Sequence, residues 1–529
     1  MAGAIQPGEA FFARLAVRTS DRAGAMRLGD ILRRWLPLLL ILAVAVVVRH
    51  FVVANTDVSW EITLSEKILD GQRLYTDLIE INPPASTFLY LPAVALARAL
   101  GWAPETVIDI SVFVAALSLG VASLIVDRYR LLDGLDGWLV AAVTLAVLTI
   151  LPAQTFGERE HIALIAVLPM LATLAARTKG ERPQLRYSLI AGIGAGITVC
   201  IKPHFALALA LAVAAGTLHR RSWRMLLVPE NLVAATIAAV YGLCVVIFYR
   251  AYITEVMPLV ADVYLPARLS LARTLLDTPV VLWAGAVLIV LGLRRGTGVH
   301  PALLVLLTAS AGFAAAYMVQ GKGWPYQSYP MLALALIALA LACGFRRRAK
   351  AQSGKRDDLK TTGAWVVLGV ITVWSFAWFN IAVDDRAAAA VVKRIAPPHP
   401  TIALISDDVA LGHPLVRAVQ GRWISRFGSL WVTEDAAIQR VAGGLDAAKK
   451  QRLAADVEAE RQRMIGEIRD GKPDIVLIDQ RPGRILIGEG GGSWSDWVNA
   501  DRELSGLIAA NYQQAGNADG VAIYKRNGP

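Results

Sequence analysis

Ionisable side chains in this chain lie beside hydrophobic runs, where a charge is costly unless it faces a cavity or a partner. Asp57 follows the first run, and a Glu-Arg-Glu-His sequence at 158–161 follows the third. Lys202 and His204 separate two short runs, and Lys322 lies between two glycines. Carboxylates in such places can deprotonate a hydroxyl or hold a divalent cation, and lysines can neutralise a phosphate. These residue types predict a pocket of carboxylates and lysines.

Aromatic and amide side chains accompany these charges. Such rings either stack on a sugar or belong to the aromatic belt at a membrane interface, where Trp60 is also expected. Plainer roles remain open: a helix cap for Asp57, a local ion-pair cluster for residues 158–161, snorkelling for Lys202 and a tight turn for Lys322. The candidate site residues are Asp57, Tyr75, Asn82, Glu158, Arg159, Glu160, His161, Lys202, His204, Lys322, Trp324 and Tyr326.

The composition is that of a membrane protein. Hydrophobic residues make up 56% of the 529 residues, and the mean hydropathy is +0.50. The net charge of +11 comes from short Lys and Arg clusters between hydrophobic runs, which is typical of cytoplasmic membrane loops and not of a nucleic-acid-binding surface. Cys200, Cys244 and Cys343 have no spacing that would indicate zinc or a disulfide framework.

Hydrophobic runs recur along residues 35–383. A helix needs roughly 20 apolar residues to cross the hydrocarbon core, and somewhat fewer where its end lies in a polar cavity. About eleven membrane-spanning helices are therefore predicted. The runs are 35–54, 106–126, 138–156, 161–177, 188–201, 204–218, 232–250, 279–293, 301–319, 328–344 and 362–382.

The distribution of positive charge predicts the topology. We assign the short segment 86–101, which contains Pro92 and Arg98, to an interfacial helix within an outer region at 55–105. One side of the membrane then holds 24 Lys and Arg against about nine on the other, which predicts a cytoplasmic N-terminus at 1–34 and an outer domain at 384–529. The candidate site falls on the outer side.

Two further features concern the spans. The first run follows a long basic leader and is expected to remain as an anchor, although Val52 to Ala54 resembles a cleavage site. The runs 188–201 and 204–218 meet at Lys202, Pro203 and His204, which predicts a tight outward-facing hairpin.

The last part of the chain has a different pattern. Strand-like runs occur at 401–406, 474–479 and 521–525, and a charged helical stretch covers 433–470. Together they predict a small α/β domain, whose tryptophans are expected to lie mostly in its own core. The predicted fold is therefore an α-helical polytopic membrane protein with a periplasmic C-terminal α/β domain.

The acidic residue at the start of the first outer loop, with a second acidic cluster at 158–160, resembles the GT-C integral-membrane glycosyltransferases. The resemblance covers residues 35–383 and is greatest to bacterial members that use polyprenyl-phosphate-linked sugars. It implies inverting transfer with Asp57 as general base, Glu158 or Glu160 as the second acidic residue, and Lys202 and Lys322 near the lipid phosphate. Asp57 has no acidic neighbour in the sequence, and this favours chemistry without a metal. The Glu-Arg-Glu-His sequence at 158–161 could still form a divalent-cation site together with Asp57.

The resemblance implies a polyprenyl-phosphate sugar donor and a lipid or cell-envelope polysaccharide acceptor, at a bacterial inner membrane. Two other functions fit the same residues. A transporter or flippase of a lipid-linked sugar would use the basic pocket to hold the phosphate, but repeated halves typical of transporters are not evident. Alternatively, the membrane part is a non-catalytic scaffold for an outer glycan-binding domain.

Overall fold

The computed structural model describes residues 28–528, except 53–54, 133–134, 136, 296–297, 299, 354–358, 383–384 and 483–491. Most of the predicted basic N-terminus, part of the Val52 to Ala54 sequence and the predicted junction at 383–384 lie outside these residues. The rest forms a helical bundle with an α/β domain packed on one end.

The bundle consists of helices that follow the hydrophobic runs. Residues 252–264 are mostly π-helical. The helices are α1 (Leu28–Phe51), α2 (Thr56–Leu69), α3 (Pro84–Phe88), α4 (Leu91–Leu100), α5 (Pro104–Ala115), α6 (Ser118–Arg128), α7 (Gly137–Thr149), α8 (Arg159–Lys179), α9 (Leu185–Ile201), α10 (Ala206–Arg220), α11 (Pro229–Phe248), α12 (Leu271–Leu275), α13 (Thr278–Leu293), α14 (Pro301–Gln320), α15 (Tyr329–Gln352) and α16 (Leu359–Phe379).

Each of the eleven predicted runs coincides with one helix, except that 106–126 covers both α5 and α6, and not all of these helices are long. Within the described residues, six helices are long and apolar enough to cross a membrane when Pro104–Arg128 (α5 and α6) is taken as one helix. The number is seven if the bent pair of α1 and α2 is also one span. Shorter apolar helices such as α9 and α13 account for other runs. The chain is a multi-pass membrane protein in which several predicted spans are shorter than a full crossing.

Helices α8 and α15 form the centre of the bundle. Helix α8 packs against α6, α9 and α14, and α15 packs against α13, α14, α16 and α7. Nearly every side chain from Tyr329 to Cys343 on α15 is buried, as expected for a helix that is apolar on all its faces. The N-terminus of α8 and the turn before α15 thus lie on rigid supports, and both carry candidate site residues.

Helices α9 and α10 meet at a short turn around Lys202, as expected, but they do not form a closely packed hairpin. Helix α9 packs mainly on α8 and α11, whereas α10 packs mainly on α14. The turn at Lys202 therefore lies between two groups of helices, which places it next to the N-terminus of α8.

The α/β domain contains a five-stranded sheet in the order β2-β1-β3-β5-β4. Strands β1, β2 and β3 are parallel, and β5 is antiparallel to both β3 and β4. The strands are β1 (Thr401–Ile405), β2 (Arg422–Trp423), β3 (Ile475–Asp479), β4 (Tyr512–Ala518) and β5 (Val521–Arg526), and the helices are α17 (Arg386–Ile395), α18 (Leu415–Ala418), α19 (Trp431–Ala442), α20 (Ala447–Gly471), α21 (Trp494–Asn499) and α22 (Arg502–Asn511).

The structure differs from the predicted domain in two respects. Strands β2 and β4 were not predicted, and the single charged helical stretch is two helices, α19 and α20. Trp423, Trp494 and Trp497 are buried in the domain, whereas Trp431 is only half-buried.

The α/β domain packs on α2 and the loop that follows it. The amide of Ile79 donates a hydrogen bond to the carbonyl of Arg426 (2.9 Å), and Lys67 Nζ donates to the carbonyl of Ser425 (2.8 Å). Arg417 pairs with Glu66 and with Glu105. The domain therefore covers the end of the bundle at which α2 and the loop after it lie.

Close contact between α10 and α14 depends on a glycine. A Cβ atom on Gly312 would lie 2.3 Å from Cα of Ala208 and 2.5 Å from the carbonyl oxygen of Leu207, both backbone atoms that cannot rotate away. Small residues are common where membrane helices approach closely, since packing there depends on van der Waals contact.

We expect Gly312→Ala to lower the stability of the bundle by roughly 1–3 kcal/mol, because α10 and α14 must move apart. Gly285→Ala on α13 is the matched control, since a Cβ there would meet no described atom within 4 Å. Thermal unfolding of the two purified variants in detergent measures the difference. Equal melting temperatures would contradict the proposed contact.

Candidate functional site

Four carboxylates surround Arg159, the first residue of α8. Its Nη2 donates to Oδ2 of Asp57 at 3.0 Å, and its Nη1 donates to Oε1 of Glu61 at 2.8 Å. Glu80 and Glu158 lie 3.9 and 4.0 Å from the guanidinium. Arg159 is only 4% exposed, and Glu61 and Glu158 are fully buried. We call these five residues the carboxylate cluster.

The start of α2 and the Gly157 turn position this cluster. The Asn55 side chain caps α2 by accepting from the amide of Val58 at 3.0 Å. Asp57 and Glu61 are four residues apart and so lie on one face of the helix. Gly157 has a φ of +81°, a conformation that favours glycine, and it turns the chain into α8 just before Glu158.

Tyr75 and Asn82, two of the predicted substrate-binding residues, belong to a hydrogen-bond network around Glu80. The Asn82 side chain donates to Oε1 of Glu80 at 2.5 Å, and Trp60 Nε1 donates to the other oxygen of Glu80 at 2.8 Å. The Tyr75 hydroxyl donates to the carbonyl of Asn82 at 2.6 Å, and Tyr75 is 1% exposed. These bonds fix Glu80 beside Arg159. Trp60 is buried, so the expectation that it joins an interfacial aromatic belt is wrong.

His161, another of the predicted substrate-binding residues, is hydrogen-bonded within the protein through both ring nitrogens. Its Nδ1 accepts from the amide of Gly157 at 3.1 Å, and its Nε2 lies 2.8 Å from the carbonyl oxygen of Leu148. The side chain is fully buried. Because both ring nitrogens are engaged within the protein, His161 holds the Gly157 turn in place.

A second ion pair lies beside the carboxylate cluster. Lys202 Nζ donates to Oε1 of Glu160 at 2.6 Å and lies 5.3 Å from the centroid of the Tyr326 ring. His204, two residues further on, is half-buried, and its Nε2 has no hydrogen-bond partner among the described residues. Glu160, Lys202, His204 and Tyr326 therefore bring together α8, the turn before α10 and the turn before α15.

Lys322 lies in a third group, to which the α/β domain contributes. Its Nζ is 3.3 Å from Oδ1 of Asp435 and 3.8 Å from the centroid of the Tyr264 ring. Burial raises the pKa of Asp435 to about 6, although the Lys322 ammonium opposes the shift. Burial also lowers the pKa of Lys322, and Asp435 opposes that change.

Aromatic rings connect the two lysines. The Tyr326 and Trp324 ring centroids are 5.7 Å apart, and the Trp324 and Tyr264 centroids are 6.4 Å apart. Trp431 of the α/β domain continues the row, 6.0 Å from Tyr264. Trp324 is 40% exposed, so part of the row is accessible.

Tyr264, Trp431 and Asp435 were not among the predicted site residues. Tyr264 follows the seventh run and lies on the predicted outer side, so the same argument from sidedness could have included it. Asp435 lies in a charged helical stretch of the α/β domain, where nothing in the sequence distinguishes it from its neighbours. Its role depends on how the domain packs on the bundle.

Several buried carboxylate oxygens lack a hydrogen-bond partner within the described part of the chain. They are both oxygens of Glu158 and one oxygen each of Glu61 and Glu160. Buried polar atoms are nearly always hydrogen-bonded, so unpaired ones call for a water, a proton or a ligand. Their concentration beside Asp57 and Lys202 identifies this region as the candidate site.

The centre of the carboxylate cluster is occupied by a guanidinium. Among the residues that the structure describes, no group of three or more His, Cys, Asp or Glu side chains is arranged to hold a metal ion. Arg159 supplies the positive charge at the point where Asp57 and Glu61 converge.

We expect Arg159→Met to destabilise the protein by about 3–5 kcal/mol, because it leaves buried carboxylates without a counter-charge. Arg73→Met is the matched control. It removes an exposed pair with Asp77, and such pairs contribute less than about 1 kcal/mol. Denaturant titration of both variants tests the difference. Equal losses would show that Arg159 does not hold the cluster together.

The comparisons with known proteins support one fold. No protein-family model and no curated protein sequence matches the chain. The crystal structure of ArnT from Cupriavidus metallidurans bound to undecaprenyl phosphate matches with a TM-score of 0.53 and 14% identity, over 93% of this chain and 99% of that chain.

Two other solved structures match at lower scores. The arabinofuranosyltransferase AftD from Mycobacteria matches with a TM-score of 0.45 and 12% identity, over 94% of this chain and 42% of that chain. The Archaeoglobus fulgidus oligosaccharyltransferase tethered with an acceptor peptide matches with a TM-score of 0.41 and 13% identity, over 94% and 74%. The match to ArnT extends over nearly the whole of both chains, and this multi-pass membrane protein therefore shares the fold of that structure.

Proposed function

We propose that this protein is a glycosyltransferase that moves a sugar from a polyprenyl-phosphate carrier to a hydroxyl of a periplasmic lipid or cell-envelope polysaccharide. The observation that carries the proposal is the convergence of the carboxylate cluster and the Glu160–Lys202 pair at one end of the bundle. The fold is shared with ArnT, whose structure holds undecaprenyl phosphate. A bacterial inner membrane, with the α/β domain in the periplasm, is the location that follows from the charge distribution.

Asp57 is the proposed general base. Arg159 binds its Oδ2, whereas no described residue donates a hydrogen bond to Oδ1, and the side chain is 20% exposed. Oδ1 accepts the proton of the acceptor hydroxyl as the hydroxyl oxygen attacks the anomeric carbon. The bond from that carbon to the phosphate oxygen breaks with its electron pair on the phosphate, which inverts the anomeric configuration.

Lys202 and Lys322 are the proposed phosphate contacts. An ammonium group has three N–H donors, so Lys202 can keep its bond to Glu160 and still donate to a phosphate. The same holds for Lys322 and Asp435. Fixed positive charge at the leaving group is worth more in a site shielded from water than in solution.

The other acidic residues have distinct proposed roles. Glu160 holds the Lys202 ammonium in position, and Glu158 is the second carboxylate beside Arg159. The Arg159 guanidinium supplies the cluster with the charge that a divalent cation would otherwise bring, and this supports catalysis without a metal.

The direct test is transfer from radiolabelled polyprenyl-phosphate sugars by purified protein in lipid. We expect Asp57→Asn to lower the rate by about 10²–10⁴-fold, the usual contribution of a general base. EDTA is expected to leave wild-type transfer unchanged. Asp70→Asn, at the other end of α2, is the control and should retain wild-type activity because Asp70 pairs only at the surface with Arg98.

Two outcomes would overturn parts of the proposal. Transfer that EDTA abolishes would rule out the metal-free mechanism. If the wild-type protein transfers sugar from none of the donors but moves the lipid-linked sugar across the bilayer, the protein is a flippase.

The phosphate contact has its own test. We expect Lys202→Met combined with Glu160→Gln, which removes both charges of the pair, to raise the KM for the lipid-linked donor roughly tenfold or more, the effect of losing one charge-assisted hydrogen bond. The control is Arg177→Met combined with Glu230→Gln, which removes a buried pair at the opposite end of α8. An unchanged donor KM in the first variant would contradict the role of Lys202.

A further inference from the structure

A groove lies at the end of the bundle opposite the carboxylate cluster. Helices α7, α15 and α16 form it, and its volume is about 380 Å³. Val140 and Val143 line it from α7, and Trp365 lines it from α16. None of these residues contributes to the proposed transfer reaction, so the groove is a separate feature of the membrane part.

One face of α15 supplies most of the lining, and its character changes along the helix. Ile337, Ala340, Leu341 and Gly344 follow one another at helical spacing and are apolar or small. The next turn of the same face carries Arg347 and Arg348. A ligand that follows this face therefore meets an apolar stretch and then two positive charges.

The distance along this face from Ile337 to the arginines matches one leaflet of a membrane. From Ile337 to Arg347 the helix rises about 15 Å, at 1.5 Å per residue. The hydrocarbon core of a bilayer is about 30 Å thick, so this distance is about half of it. The two arginines then lie at the depth of the lipid headgroups, on the side that the charge distribution predicts to be cytoplasmic.

We propose that this groove binds an anionic phospholipid of the cytoplasmic leaflet, with an acyl chain along α15 and the phosphate against Arg347 and Arg348. Basic pockets between membrane helices on the cytoplasmic side are suited to anionic headgroups, because the low dielectric nearby strengthens the attraction. The neighbouring Arg346 is directed elsewhere, since its Nε donates to the Thr361 hydroxyl at 3.1 Å. The site does not depend on the proposed transferase activity.

The experiment measures lipid retention by native mass spectrometry of the full chain in nonionic detergent with phosphatidylglycerol or phosphatidylcholine. We expect the wild type to retain one phosphatidylglycerol in preference to phosphatidylcholine. Arg347→Gln combined with Arg348→Gln should weaken this retention roughly tenfold or more, the expected contribution of two basic side chains at an anionic headgroup. The control combines Arg128→Gln with Arg182→Gln. These two arginines are exposed at the same end of the bundle, and the double variant should retain wild-type binding.

A second set of variants tests the apolar part without changing charge. Ala340→Phe and, independently, Val143→Phe fill the groove, and each should remove the retained lipid. Soluble glycerol phosphate at the same concentration should not replace the lipid.

Three results would overturn the proposal. The first is equal retention of the two lipids by the wild type. The second is an equal loss of phosphatidylglycerol retention in the double variant of Arg347 and Arg348 and in that of Arg128 and Arg182. The third is full retention in both groove-filling variants.

Discussion

The end of the bundle that carries the candidate site depends on one buried cation. Arg159 is nearly inaccessible to water, and moving a charge into such a place costs several kcal/mol unless partners compensate it. Its partners come from the start of α2, from the loop after α2 and from the residue just before α8. The same ion pairs that offset the cost of burying this cation therefore fix α2 and the loop after it on the bundle. Trp60, Asn82 and Tyr75 extend this constraint by holding Glu80 in place.

The remaining parts of the candidate site follow from that arrangement. The turn at Gly157 places Glu158 beside Arg159, and one residue later Glu160 faces Lys202 across the junction of α9 and α10. Tyr326 then lies over Lys202, and the aromatic row leads to Lys322 at the edge of the α/β domain. Positive and negative side chains thus alternate along the site. Such an arrangement can receive a proton at one point and a phosphate at another.

Hydrophobic length and residue type were sufficient to locate the helices and to predict that the polar residues gather at one end of the bundle. They were not sufficient to assign roles. His161, Tyr75 and Asn82 are polar residues at the membrane boundary, as Asp57 is, but internal hydrogen bonds occupy them. Strand β4 lacks an alternating pattern of burial, and β2 has only two residues, so neither has a periodic signal. Asp435 pairs with Lys322, which is more than a hundred positions away in the sequence, and such pairings depend on tertiary packing.

Ion pairs contribute to the contact between the α/β domain and the bundle, and several of them are partly open to solvent. Arg417 pairs with Glu66 and Glu105, Lys449 with Asp262, and Lys322 with Asp435. At physiological ionic strength the screening length is about 8 Å, and it shortens as salt rises, so partly exposed pairs weaken in concentrated electrolyte. Because Asp435 reaches Lys322 only when the domain is in place, the charge that surrounds Lys322 is coupled to the salt concentration at this end of the molecule.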